Sequence, residues 1–328
     1  MLFSKALNSA AMATVIALVA SIPAIQASPI PLSPESSSLA SETVVQKRSL
    51  SAGWNNWSCK PSSAHPYPLV LVHGLTANSF DNWFYMAPRF VAKGYCVFSL
   101  SYGQLNDVPI FYGLDKMENS AQQLKEFVDK VLTATNTTQV DLFGHSQGSL
   151  MPRYYMKFLN GADKIRKYHS PTSLNWSDAS PTVLCAYDKF AAIGAIQYGT
   201  TLLGLANLLQ PLGLYDSVKD IFDKGCLSCF QFLQNSTFIQ NLNAGGDTVP
   251  GVQYLMIASK LDEIVTPYTT GFLRDDNPNV HNQVLQNWCS ADISEHLAQA
   301  IDPIAFNAVH AFFTPTADQT INCADALN

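Results

Sequence analysis

Two kinds of apolar pattern alternate along this chain. Short, nearly unbroken apolar runs recur at Leu69–Val72, 95–99, 140–143, 190–196 and Val252–Ala258. Runs of that length read as strands buried on both faces of a parallel sheet. Helical segments lie between them, at 82–92, 120–133 and 149–159. In the second, Ala121, Leu124, Phe127, Val128, Val131 and Leu132 fall on one face, with Ser120 as the expected N-cap. Asp302-Pro303 opens a last helix, with Asp302 as N-cap and Pro303 in the first turn. Strand followed by helix, repeated, implies a parallel sheet with right-handed crossovers. Residues 53–68, rich in Trp, Ser and Pro, read as an irregular lead-in pinned by Cys59, and 103–113 and 161–188 as loops. There is no repeat and no linker, so the expected class is α/β, one domain, with a mostly parallel central sheet flanked by helices.

Residues 1–48 do not share this pattern. Lys5 precedes an apolar run over 10–20, interrupted by Thr14 and broken by Pro23. The run is too short to span a bilayer and fits a signal-peptide core, cut after Ala27 or, alternatively, after Ala20. Ser, Pro and Glu follow without period, and Lys47-Arg48 closes the stretch, either as a pro-peptide cleavage site or as a solvated charge pair. The expected organisation is a signal peptide over 1–27, a pro-segment over 28–48 and one catalytic domain over 49–328. No other segment is apolar enough to cross a membrane.

Composition narrows the picture. A net charge of −6 with scattered basic residues carries no nucleic-acid footprint. Only 13% of residues are charged and 47% are hydrophobic, which leaves room for an apolar binding surface. Seven cysteines and Asn-x-Ser/Thr sequons at Asn56, Asn136, Asn175 and Asn235 agree with secretion. Cys226-x-x-Cys229 has no second pair at zinc-finger spacing, so a disulfide is expected over a metal. The odd count leaves at least one thiol without a partner in the chain, and spacing alone does not set the pairing.

The chemistry centres on Gly144-His145-Ser146-Gln147-Gly148, entered by a strand and left by a helix. That context makes the pentapeptide a nucleophile elbow, with Ser146 lifted clear of the sheet. A serine hydroxyl needs a base within hydrogen-bond reach and a carboxylate to orient that base. Asp262 comes first after the 252–258 strand and is the expected acid, with the adjacent Glu263 as its rival. His296 lies in a loop after the last strand and is the expected base; His310, between Val309 and Ala311, is second and reads as a packed helix residue. His281 precedes a strand, and Asp247 in Gly245-Gly246-Asp247 reads as a turn residue. Early in the chain, His73-Gly74-Leu75 ends the first strand. The Leu75 and Gln147 backbone N–H groups are the expected oxyanion hole. The apolar stretch 202–214 is either a lid or acyl-binding wall or an ordinary buried helix pair.

These motifs resemble the secreted triacylglycerol lipases of the α/β-hydrolase superfamily found in bacteria and fungi. The resemblance rests on His73-Gly74, the elbow, Met151-Pro152-Arg153-Tyr154-Tyr155, Leu242-Asn243-Ala244-Gly245-Gly246-Asp247-Thr248 and Asp262-Glu263-Ile264-Val265-Thr266-Pro267-Tyr268. It covers about 53–313. It implies an α/β-hydrolase fold, a Ser146–Asp262–His296 triad, and fatty-acid esters as substrates, met at an oil–water interface. No cofactor and no metal are expected, and oligomeric state is not legible. A short-chain or polyester esterase, an acyltransferase, or a non-catalytic binding protein of the same fold are the rival readings.

Overall fold

Six strands form one sheet, each pairing parallel to its neighbours. They are β1 (Leu69–Val72), β2 (Val97–Leu100), β3 (Asp141–His145), β4 (Asp188–Ile193), β5 (Val252–Ala258) and β6 (Val280–Val284), in the order β2-β1-β3-β4-β5-β6. The computed structural model describes residues 53–105, 110–166, 188–201, 225–314, 321 and 323–324. The expected signal and pro-segments, the 202–214 stretch, Asn175 and Cys185 lie outside the described residues. Helices α1 (Met86–Ala92), α2 (Met117–Thr135), α3 (Gln147–Phe158), α4 (Thr237–Asn243), α5 (Leu285–Trp288) and α6 (Pro303–Phe313) accompany the sheet. No described helix is long and apolar enough to cross a membrane.

The unbroken apolar runs are explained by a core on each face of the sheet. Leu69 and Leu71, Phe143, Ala191 and Ile193, and Leu255 and Ile257 pack with Phe90 of α1 and Phe306 of α6. Their neighbours Val70 and Val72, Leu142, Phe190 and Ala192, and Tyr254 and Met256 pack with Leu124 and Val128 of α2 and Met151 and Tyr155 of α3. Successive side chains of a strand point to opposite faces, so a strand covered on both sides must be apolar at every position.

The helix boundaries differ from the sequence expectation in two places. The 82–92 helix begins only at Met86, because Pro88 has no N–H to donate to Phe84, and residues 79–85 form turns instead. The 120–133 helix runs from Met117 to Thr135, and Ser120 is a buried interior residue, not the N-cap. The cap comes from far along the chain: Gln231 Oε1 accepts from the Met117 N–H at 2.7 Å, and Gln231 Nε2 donates to Glu118 at 2.7 Å. Asp302 does cap α6, accepting from the Ala305 N–H at 2.7 Å, with Pro303 opening the helix.

Among the described residues, three disulfides join Cys59 to Cys96, Cys226 to Cys229 and Cys289 to Cys323. The first ties the irregular lead-in to the residue before β2. The second closes the Cys-x-x-Cys loop on itself. The three described sequons, at Asn56, Asn136 and Asn235, are all exposed.

One polar cluster binds the lead-in to the end of α6. Tyr95 Oη lies 2.9 Å from His310 Nδ1 and 2.7 Å from Thr314 Oγ1, and the His65 ring stacks on Tyr95 at 3.7 Å. Burial, with Lys93 and His65 nearby, holds His310 down to about 4, and burial alone brings His73 to about 4. Burial and the neighbouring His296 hold His145 down to about 3. These rings stay neutral in the fold but charge near pH 6.5 when unfolded, so the unfolded chain takes up more protons as pH falls. Stability from this source is full above about pH 6.5 and is lost progressively toward pH 4. Asp302, which burial and Asp292 help push up to about 6, acts in the opposite sense. The melting temperature should therefore drop on acidification from pH 7 to pH 4, and His310→Gln should flatten that drop. A variant as acid-sensitive as the parent would remove His310 from the account.

Candidate active site

The elbow is built by three backbones crossing at close range. Ser146 takes φ 55° and ψ −122°, between the end of β3 and the first turn of α3. A Cβ on Gly144 would lie 1.9 Å from the Gly148 carbonyl oxygen, and one on Gly148 would lie 2.0 Å from the Val72 oxygen of β1. Only glycine fits either position. The Ser146 N–H donates to the Ile193 oxygen of β4 at 3.0 Å. On the other side, the Ser149 N–H and hydroxyl both donate to the Ser146 oxygen, at 2.8 and 2.6 Å. The strained turn is thus held from β4 and from its own helix.

His296 reaches Ser146 from the turn between α5 and α6. Its Nε2 lies 2.8 Å from Ser146 Oγ, and its Nδ1–H donates to Asp262 Oδ2 at 2.8 Å. Ser146, His296 and Asp262 are all buried. The Asp262 carboxylate is saturated with donors. Oδ1 accepts from the Ile264 and Val265 N–H groups at 3.0 and 2.7 Å, and Oδ2 also accepts from Gln299 Nε2 at 3.0 Å. Burial would raise this carboxyl, but the hydrogen bond and charge of His296, with the two backbone amides, hold it below the usual range. Gln299 accepts in turn from the Gly194 N–H at 3.0 Å and so ties Asp262 to the end of β4. Glu263, the rival acid, accepts from the backbone N–H of His296 at 3.2 Å instead of meeting its ring.

The His73–Leu75 turn passes directly over the serine. A Cβ on Gly74 would lie 3.0 Å from Ser146 Cβ. His73 Nδ1–H donates to the Gly74 oxygen at 2.7 Å, while its Nε2 accepts from the Tyr102 N–H at 3.2 Å. A trans peptide points its N–H opposite to its C=O, so this bond fixes the direction of the Leu75 N–H. That N–H donates to no other described residue. Gly113 lies between the two expected oxyanion residues. A Cβ on it would meet Leu75 Cα at 3.3 Å, and its oxygen accepts from Gln147 Nε2 at 2.9 Å.

The other sequence candidates lie elsewhere. His310 belongs to the Tyr95 cluster, and His281 sits within β6 with its ring near Phe312. Asp247 is more than a turn residue. It is buried; its carboxylate accepts from Tyr198 Oη at 2.8 and 2.7 Å and from the Arg274 N–H at 2.6 Å, and its backbone oxygen accepts from Arg153 Nε at 3.0 Å. Sequence reasoning missed Asn82, Gln299 and Gly113. Each contributes through contacts with residues distant in sequence, and no local motif marks it.

The sequence profile of the class 2 lipases, Lipase_2, matches residues 66–305, a span that holds the strand–turn–helix elbow and all five expected site residues. The chain belongs to this family. Triacylglycerol lipases of Pseudarthrobacter phenanthrenivorans and Burkholderia plantarii are each 37% identical to it over 99 residues, 28% of this chain. The match spans 28% and 25% of those relatives' own lengths. Among solved structures, Aspergillus fumigatus lipase B aligns with a TM-score of 0.53 at 20% identity, over 75% of this chain and 52% of that one. Mature Bacillus licheniformis lipase BlEst2 aligns with a TM-score of 0.53 at 15% identity, over 77% and 94%. At these identities the structural likeness speaks for the α/β-hydrolase fold alone.

Proposed function

We propose that this class 2 lipase-family protein is a secreted serine hydrolase of carboxylic esters, acting on triacylglycerols through Ser146, His296 and Asp262. The observation that carries the reading is the continuous relay from Ser146 Oγ to His296 Nε2 and from His296 Nδ1 to Asp262 Oδ2, 2.8 Å at each step. Ser146 attacks the ester carbonyl while His296 takes its proton, and Asp262 stabilises the imidazolium. The Leu75 and Gln147 amides hold the oxygen that becomes negative. The alcohol leaves with the proton from His296, and a water deprotonated by His296 then releases the acid from Ser146. No cofactor enters these steps.

Fatty-acyl substrates are supported by the family and by the triacylglycerol lipases the chain resembles. Secretion is supported by the three disulfides, the exposed sequons and the apolar leader at 10–20, with 1–27 removed as a signal peptide and 28–48 as a pro-segment. The test is a chain-length series of nitrophenyl esters, from acetate to palmitate, beside emulsified triglyceride. Cleavage of the long-chain esters and the emulsion is expected. Activity confined to acetate and butyrate would replace the lipase with a short-chain esterase, and no cleavage of any ester would leave a binding protein of hydrolase fold.

A further inference from the structure

One side chain joins the Gly74 turn to the end of β3 beside the serine. Asn82 is buried in the turns that precede α1. Its Oδ1 accepts from the Gly74 N–H at 2.9 Å and lies 3.0 Å from His145 Nδ1. The His145 Nε2 lies 3.1 Å from the backbone oxygen of His296, but a neutral ring with its hydrogen on Nδ1 makes no hydrogen bond there. The Gly74 turn carries one expected oxyanion amide, His145 precedes the nucleophile, and His296 is the base. None of these contacts is a step of the proposed reaction.

The orientation of the Asn82 amide follows from its partners. The Gly74 N–H is a donor only, so the atom facing it must be the oxygen. Rotating the amide would set an NH2 against that N–H. The same oxygen therefore faces His145, whose Nδ1 must present a hydrogen to it. We infer that Asn82 is a positioning residue, which holds the Gly74–Leu75 oxyanion turn in register with the elbow. The inference rests on the proposed role of Ser146 and His296.

Geometry makes the effect large for so small a group. His73 Nδ1–H pins the carbonyl of Gly74 and Asn82 pins its N–H. With both ends of the residue held, the Leu75 N–H has one direction. Release of the Asn82 end frees the His73–Gly74 peptide and with it the position of the Leu75 N–H over Ser146, and an oxyanion donor misplaced by about 1 Å costs on the order of a hundredfold. Because the oxyanion forms only in the transition state, the loss falls on kcat and not on KM.

The experiment compares Asn82→Leu, which removes the acceptor at similar volume, with Asn82→Asp, which keeps an oxygen for both donors. Each is assayed well below its own melting temperature, with active sites counted by a phosphonate that labels the nucleophile. Asn82→Leu should lose roughly 30- to 100-fold in kcat per labelled site with KM within about twofold, and Asn82→Asp should recover most of it. If Asn82→Leu has wild-type kcat per labelled site, or if its loss is equally severe in Asn82→Asp while both fold, the positioning role is overturned. Ser146→Ala in the same assay separates the two levels: an active Ser146→Ala enzyme would sink the catalytic reading itself, whatever Asn82 does.

Discussion

Ser146→Ala should lower kcat on long-chain esters by about 10⁴-fold or more while leaving the protein folded. The size follows from losing covalent catalysis outright, with only the oxyanion amides and substrate binding left. The fold should not suffer. Ser146 Oγ is within hydrogen-bond reach of His296 Nε2, but the turn is held by backbone bonds to Ile193 and from Ser149, which alanine keeps. A melting temperature equal to or above that of the parent is expected, as at sites where activity is held at the expense of stability. His296→Ala should fall by a similar factor, and the double variant should be no worse than either single one, because the residues act as a unit. Additive losses in the double variant, or residual turnover within tenfold of wild type, would remove Ser146 from the chemistry.

Gly148→Ala should be among the most damaging single methyl groups that the described residues allow. Its Cβ would sit 2.0 Å from the Val72 oxygen and 2.6 Å from the His73 oxygen, both on the backbone of β1 and its turn. Neither can swing aside as a flexible side chain would. Relief requires α3 to move off the sheet, against the packing of Met151 and Tyr155. A loss of roughly 3 kcal/mol or more is expected, a fall in melting temperature on the order of 10 °C, with activity lost in step. Gly144→Ala should match it, since its Cβ would meet the Gly148 oxygen at 1.9 Å. A Gly148→Ala protein that melts within two or three degrees of the parent would mean that the strand and helix do not approach as closely as described.

Gly144 and Gly148 also show why the elbow was readable in advance. The constraint is local, a turn too tight for side chains, so it leaves a pattern within five residues. The strands were readable for a related reason: a sheet covered on both faces needs apolar residues at every position, and Leu69–Val72 and Val252–Ala258 match their expected bounds. Helix starts were less legible. Ser120 looks like a cap when its neighbours alone are considered, but Gln231 supplies the first acceptor of α2 from more than a hundred residues away. Pro88, a local cue, ruled out the early start of α1.

By itself, then, the sequence determined the parallel α/β class, the tight Gly144–Gly148 turn and a short set of candidate acids and bases in the order serine, acid, histidine. Each of these is imposed by near neighbours or by chain order. Only the tertiary structure decided which candidates meet. It placed His296 against Ser146 and Asp262 while His310 went to Tyr95, and gave Glu263 the backbone of His296 in place of the ring. It also revealed Asn82 and Gln299, whose partners lie eight or more residues away along the chain and as far as 105. Hydrogen bonds reach about 3 Å, and residues that distant in sequence come within that reach only when strands and loops are folded together.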